Sequence, residues 1–334
     1  MKNKEKIMRK VNVAVVGASG LVGRKIREIL EERNFPVEKL FAFASKKSAG
    51  TKIVYAGKEV IIEELKEDSF DGRGIDIALF AAGGSVSEKY IPLAIKNNIK
   101  VVDNSSFFRM DKNVPLVIPE VNPDDIKDTD MLIANPNCST IQSVLAISKI
   151  HRDFGIERII YNTYQAVSGG GERALEDLYE KKNDHWKYKI YDNVLPQIDV
   201  FLDNGYTKEE MKMIDETKKI LDDQELKITA TAIRVPVSNS HGVSINLKLK
   251  KDFTLDEIRQ TIKETPGVIL EDDIKEEIYP MPAFASGKDE VFVGRIRKDF
   301  SEEKSLNLWT VADNIRKGAA LNAIEIAELL VEDM

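Results

Sequence analysis

The chain has 334 residues, enough for two domains at roughly 150 residues each. Apolar residues at 43% and charged residues at 31% describe an ordinary globular composition and exclude wholesale disorder. The 49 Lys and Arg against 56 Asp and Glu leave a net charge of −7, which excludes a general nucleic-acid binder.

The first ten residues read as a charged, solvated lead-in without the apolar stretch of a secretory signal, and Met8 is an alternative start. Residues 11–16 are apolar and rich in β-branched side chains, predicting a buried strand. Residues 21–33 follow with helical spacing, placing Leu21, Ile26, Ile29 and Leu30 among charges. Strands are predicted at 40–44, 75–80, 100–103 and 131–134, with a helix at 85–97. That alternation predicts a parallel sheet of βαβ units. The second half changes character. Longer strands are predicted at 156–167, 227–237, 242–250, 291–297 and 306–312, with helical patterns at 252–264 and across a charged stretch from 171 to 221. This is an α+β pattern whose open sheet face suits a partner. The last segment, 315–331, has helical spacing and is expected to return to the first domain. No apolar run approaches the ~20 residues that span a bilayer.

Gly17-Ala18-Ser19-Gly20-Leu21-Val22-Gly23 lies between the first strand and first helix and is a variant of the dinucleotide fingerprint. Glycine permits the tight turn and the close approach of backbone N–H groups to a pyrophosphate at the helix N-terminus. After the second strand, an Asp or Glu for a ribose 2′-hydroxyl is replaced by Ser45-Lys46-Lys47-Ser48, whose cations and hydroxyls suit a 2′-phosphate. NADP is therefore expected rather than NAD; the resemblance described below implies Lys47 and Ser48 as the contacts.

The one cysteine, Cys138, excludes an intramolecular disulfide and any multi-cysteine metal site, and no metal is expected. It sits in Asn135-Pro136-Asn137-Cys138-Ser139-Thr140, where Pro136 stops a strand and Asn137 caps a helix. A thiol there gains the partial positive charge that favours the thiolate. Of the three histidines, His151 reads as a helix C-terminal cap and His185 as a surface or interface residue. His241 opens an alternating strand with Val243, Ile245, Leu247 and Leu249. Arg234 similarly ends a face with Ile228, Ala230 and Ala232. Adjacent strands would bring Arg234 and His241 into one pocket with the thiol.

These motifs, with Ala81 to Ser85, residues 102–110, 117–122, 163–169, 289–295 and 313–320, resemble the aspartate-semialdehyde dehydrogenases of the bacterial type over nearly the whole length. The resemblance implies an α/β protein: a Rossmann-like dinucleotide-binding domain (1–136 plus 314–334) and an α+β catalytic and dimerisation domain (137–313). It implies NADPH-dependent, reversible reduction of L-aspartyl-β-phosphate to L-aspartate-β-semialdehyde through a cysteine thioester. That reaction leads toward lysine, methionine, threonine and diaminopimelate. Cys138 is then the nucleophile, His241 the general acid/base, Gln165 the residue that orients substrate, and Asn137 a stabiliser of the oxyanion. Arg234 matches the carboxylate clamp, Arg109 and Lys212 the phosphate site, and Glu209 the residue near the substrate amine. Gly17, Ser19, Gly20, Leu21, Val22, Ser168, Gly169 and Asn314 match cofactor contacts. Lys47 stands where the family pattern has Arg, removing the bidentate fork from the 2′-phosphate contact.

Within enzymes, the alternative is an N-acylglutamyl-phosphate reductase, with the same chemistry on a longer substrate with a blocked amine. Outside them, it is a non-catalytic NADP-binding paralogue. The expected setting is the cytoplasm, and the expected assembly a homodimer or dimer of dimers, with neither nucleic acid nor membrane as partner.

Overall fold

The β-branched run after the lead-in forms β1 (Val11–Val16), buried at every position except Asn12. The protein is described here by a computed structural model covering residues 9–332; the alternative start at Met8 lies outside the described residues. The chain forms two compact units. One comprises the chain through Pro119, Pro123–Asn135 and the residues from Ala320 on; the other comprises Glu120–Asn122 and Pro136–Ala319.

In the first unit β1 leads into α1 (Leu21–Glu32), β2 (Val37–Ala44), β3 (Lys52–Tyr55), β4 (Lys58–Glu64), β5 (Ile77–Phe80), α2 (Gly84–Lys96), β6 (Lys100–Asp103) and β7 (Leu132–Ala134). They form a seven-stranded sheet in the order β3-β4-β2-β1-β5-β6-β7. All pairings are parallel except β3 with β4. The strand order reverses at β1, which has β2 on one side and β5 on the other. Open α/β sheets bind ligands beyond the carboxyl ends of strands at such a point. The β3–β4 hairpin was not expected from the sequence. As expected, the last helix, Leu321–Glu332, joins this unit: Ile324, Ala327, Leu330 and Val331 share a core with Val13, Val15, Ile26 and Leu30. Asn322 locks it by donating from Nδ2 to Asn135 Oδ1 (2.7 Å) and to the Val117 carbonyl (3.0 Å).

The second unit contains α3 (Cys138–Phe154), β8 (Ile156–Gln165), α4 (Glu172–Tyr179), α5 (Lys208–Ile220), β9 (Lys227–Arg234), β10 (His241–Leu249), α6 (Leu255–Lys263), β11 (Val268–Leu270), α7 (Pro282–Ala285), β12 (Val291–Lys298) and β13 (Ser305–Ala312). The sheet order is β11-β12-β13-β10-β8-β9. Helices α3, α5 and α6 pack on it. Val243, Ile245, Leu247 and Leu249 of β10 enter the core, while the intervening Ser244, Asn246 and Lys248 are half-buried. Tyr164 and Trp309 stand 5.6 Å apart, ring to ring, on that second face.

Three expectations need correction. Arg234 and His241 are not on adjacent strands: β8 lies between β9 and β10, pairing Gln165 with Arg234 and Tyr164 with Gly242. The stretch 171–221 is not continuously helical. It holds α4 and α5, and between them Lys181, Asp192 and Asp199 take left-handed backbone angles that no helix accommodates. The terminal helix does not start at Ile315; Arg316–Ala320 is a π-helical turn, and α8 (Leu321–Glu332) follows it.

Candidate active site

The strand-to-helix junction sets the thiol. Asn137 is the N-cap of α3, and its side-chain oxygen accepts from the N–H groups of Ser139 (2.9 Å) and Thr140 (3.3 Å). Cys138 is therefore the first residue of α3, at the positive end of the helix dipole. Asn137 is tied to α5 as well. Its Nδ2 donates to Glu209 Oε1 at 2.9 Å, and its main-chain N–H donates to Glu216 Oε2 at 2.7 Å. On the other side, Gly318 of the π turn packs so closely that a Cβ there would lie 2.9 Å from Cys138 Cβ.

Three strand ends supply the remaining groups of this unit. Gln165, last in β8, donates from Nε2 to Glu209 Oε1 at 3.1 Å. Arg234, last in β9, donates from Nη1 to the Ala166 carbonyl at 2.7 Å, and its Nε is buried without a hydrogen-bond partner among the described residues. His241, first in β10, accepts the Ala166 N–H at Nδ1 (2.9 Å), while its buried Nε2 has no partner among the described residues. Gly169 adjoins both: a Cβ there would stand 2.8 Å from Arg234 Nη1 and 3.4 Å from His241 Nε2. Neighbouring Ser168 accepts from Asn314 Nδ2 at 2.9 Å, and Asn314 Oδ1 accepts the Ser240 N–H, also at 2.9 Å.

Electrostatics follow from burial and pairing. Burial, reinforced by the Arg234 charge, pushes the His241 imidazole well below its usual range, so it is neutral. Burial also lowers the Arg234 guanidinium, opposed by Glu209 and Cys138. Burial of Glu209 would raise its carboxyl. The Lys212 charge and hydrogen bonds from Asn137, Gln165 and Lys212 outweigh that effect and hold it below the carboxylate norm. Lys212 bridges Glu209 (3.1 Å) and Asp199 (3.0 Å); those partners overcome desolvation and raise its ammonium.

In the first unit, Gly17 has φ +86°, and a Cβ there would meet the Ala81 carbonyl at 2.5 Å. A Cβ at Gly23 would meet the Gly17 carbonyl at 2.2 Å, whereas one at Gly20 would stand at an ordinary 3.4 Å. Gly20 caps α1 without any side-chain hydrogen bond, and Leu21 and Val22 form its first turn. Ser19 Oγ donates to Ser48 Oγ at 3.0 Å, joining this turn to the loop after β2, where Lys47 is exposed. Arg109 is buried, donating to the carbonyls of Asn135 (2.9 Å) and Asn104 (2.8 Å). Gly17 and Gly23 are thus bare because backbone packs against them, which sets the tight turn and seats the helix, and Gly20 is the one of the three whose bare Cα a dinucleotide phosphate can approach.

His151 and His185 stand apart from this chemistry. His151 lies in the last turn of α3, but the C-cap is Gly155; the His151 ring accepts the Ile156 N–H of the following strand instead of donating to the helix carbonyls. His185 is exposed, edge-on to Trp186 at 4.7 Å. Glu216, Gly318 and the Ala166 peptide escaped the sequence reading. Only Glu216 left a trace, two helical turns beyond Glu209.

Two family models match the units in chain order: the NAD binding domain of semialdehyde dehydrogenases over residues 12–129 and their dimerisation domain over 147–317. The fold and its thiol site thus define a semialdehyde dehydrogenase. Curated aspartate-semialdehyde dehydrogenases are 51% identical in Aquifex aeolicus over 335 residues (96% of this chain, 98% of the relative) and 47% identical in Bacillus subtilis over 340 residues, with the same coverage. The crystal structure of aspartate semialdehyde dehydrogenase II from Vibrio cholerae matches with TM-score 0.93 at 43% identity, covering 97% of this chain and 99% of that one. The same enzyme complexed with ASA also matches at 0.93. The chain belongs to the aspartate-semialdehyde dehydrogenase family and is an oxidoreductase, as the resemblance implied.

Proposed function

We propose that this enzyme reduces L-aspartyl-β-phosphate to L-aspartate-β-semialdehyde and inorganic phosphate, reversibly, through a thioester on Cys138, with NADP as its cofactor. The observation that carries the reading is the seating of Cys138 at the first position of α3, next to the N-cap Asn137. The Cys138 sulfur forms a bond to the acyl carbon, the bond from that carbon to the phosphate oxygen breaks, and phosphate departs. Splitting the displacement in two makes each half easier. When bound, NADPH supplies the hydride that reduces the thioester carbon. The oxygen that gains charge there meets Asn137 Nδ2 and the proton on His241 Nε2, at the positive end of α3. Collapse of the adduct breaks the C–S bond and returns the thiolate.

Arg234 is assigned the α-carboxylate, for which a guanidinium is well shaped. Lys212 and Arg109 are assigned the phosphate. Glu209 already accepts from Asn137, Gln165 and Lys212, three of about four acceptor positions on a carboxylate. Its first task is therefore to orient Gln165 and Asn137, leaving one position for the substrate amine. Gly17, Ser19, Gly20, Leu21 and Val22 would hold the pyrophosphate, and Lys47 and Ser48 the 2′-phosphate. Ser168, Gly169 and Asn314 would hold the part of the cofactor nearest the thiol. The enzyme works as a cytoplasmic homodimer or dimer of dimers, a reading supported by the match to a dimerisation domain.

Mass spectrometry of enzyme quenched during turnover should find an acyl adduct on Cys138, absent from Cys138→Ala, which should still bind NADP. Steady turnover by that variant would reject the covalent role.

A further inference from the structure

We propose that Glu216 is a positioning residue for the nucleophile, its carboxylate holding the Pro136–Asn137 peptide, one link ahead of Cys138. Glu216 lies seven positions after Glu209 on α5, on the same face, and is only 1% exposed. Taking a carboxylate out of water costs several kcal/mol unless it is well paired. Here it reaches from one helix to the cap of another and accepts the Asn137 N–H at 2.7 Å. A single main-chain N–H needs no charge and no side chain to satisfy it; a carbonyl or a water would do. What a side chain from α5 adds is rigidity between two elements. Asn137 is now fixed three times: by Oδ1 to the amides of α3, by Nδ2 to Glu209, and by its N–H to Glu216. Two of the ties end on α5, which also bears Lys212. The thiol and the polar groups facing the substrate are thereby referred to one rigid helix. The next residue, Cys138, is pressed from its other side by Gly318, so the junction has little room to shift. A displacement near 1 Å at a reacting atom can cost on the order of 100-fold in rate.

The inference rests on the covalent role proposed for Cys138. Two near-isosteric changes in the full-length enzyme separate reach from charge. Glu216→Gln keeps an acceptor at the same distance and loses the charge; Glu216→Asp keeps the charge and falls one methylene short. The Gln variant should stay within about threefold of the wild-type kcat. The Asp variant should lose about tenfold or more in kcat and in the rapid-quench rate of acyl-adduct formation, with KM for aspartate semialdehyde changed less than about threefold. Glu216→Ala serves as a second variant lacking reach. Wild-type adduct rates in the Asp and Ala variants overturn the inference, as does a Gln variant as slow as they are, or a loss confined to KM. Failure of wild-type enzyme to form any adduct would instead overturn the covalent reading beneath it.

Discussion

Arg234 and His241 are fastened to the two sides of one residue: the Ala166 carbonyl accepts from Arg234 Nη1 at 2.7 Å, and the Ala166 N–H donates to His241 Nδ1 at 2.9 Å. A ring whose Nδ1 accepts must, when neutral, carry its proton on Nε2. Protonating Nδ1 would set two donors face to face, and Arg234 opposes the added charge. The imidazole is therefore held as a neutral Nε2 donor.

This has a consequence for acid stability. The folded-state pKa of His241 lies below the ordinary 6.5, so the unfolded chain binds its proton more readily. Its contribution is fully present above about pH 6.5 and is lost as pH falls toward the folded value, at no more than about 1.4 kcal/mol per pH unit. Urea titrations between pH 7.5 and 5.5 should show wild type losing more stability than His241→Gln. His151, shifted the same way by burial, is common to both and cancels. The variant should also lose about 10²–10⁴ in kcat. Parallel pH curves for the two proteins would refute the burial of a neutral ring.

Gly169→Ala tests the space in front of that pair. Its backbone is not left-handed, so alanine fits the chain, but the new methyl meets Arg234 Nη1 at 2.8 Å and His241 at 3.4 Å. Because Nη1 is the end of a long side chain, the clash is relieved by moving the guanidinium off Ala166. The expected result is a melting temperature close to wild type with kcat/KM down by about tenfold or more, roughly 1.4 kcal/mol of transition-state stabilisation. Unimpaired kcat/KM would place the substrate elsewhere.

The glycine turn offers a pair of substitutions with opposite outcomes. A methyl at Gly23 would stand 2.2 Å from the Gly17 carbonyl, a backbone atom that cannot yield without moving α1 off β1. Gly23→Ala should lose about 1–3 kcal/mol or more of stability, as overpacking does. Gly20→Ala meets nothing closer than 3.4 Å and should keep its stability while weakening NADP binding, because the phosphate needs the bare Cα. Denaturation curves and cofactor titrations separate the two effects. Undiminished NADP binding by Gly20→Ala would remove the pyrophosphate from this turn.

What was legible in the sequence was local. Gly17 to Gly23, and the Pro136-Asn137-Cys138 junction, announce themselves because their conformations are set by neighbouring residues. The β3–β4 hairpin was silent because its turn is Ala56-Gly57, both left-handed, and alanine is a poor advertisement for a position that Asn or Asp usually marks. Its strands also carry Lys52 on the edge strand β3 and Lys58, Glu59 and Glu63 on β4 beside it, charge that is common at the margin of a sheet and reads as loop. The relation of Arg234 to His241 was right in outcome and wrong in route, since β8 intervenes and nothing in a sequence states which strand fills a gap. Glu216 was passed over for another reason, although it shares a helix face with Glu209. On a helix as charged as α5, a buried carboxylate looks like its solvated neighbours.

Arg234→Lys probes the proposed carboxylate clamp. The guanidinium spends one N–H on Ala166 and still has a buried Nε donor with no partner among the described residues, a donor that a substrate carboxylate would satisfy. An ammonium is a point charge and cannot hold Ala166 while presenting a planar edge to a second acceptor. A charge-assisted hydrogen bond lost from such a site is worth about 1.5–3 kcal/mol, so KM for aspartate semialdehyde should rise roughly 10- to 150-fold. The effect on kcat should be smaller, because the carboxylate is held alike in ground and transition states. The thiol should remain competent, so alkylation of Cys138, the one cysteine in the chain, should proceed at close to the wild-type rate. An unchanged KM would assign the carboxylate to another cation. A KM increase accompanied by loss of thiol reactivity would mean that Arg234 acts on the nucleophile through its charge rather than on the substrate.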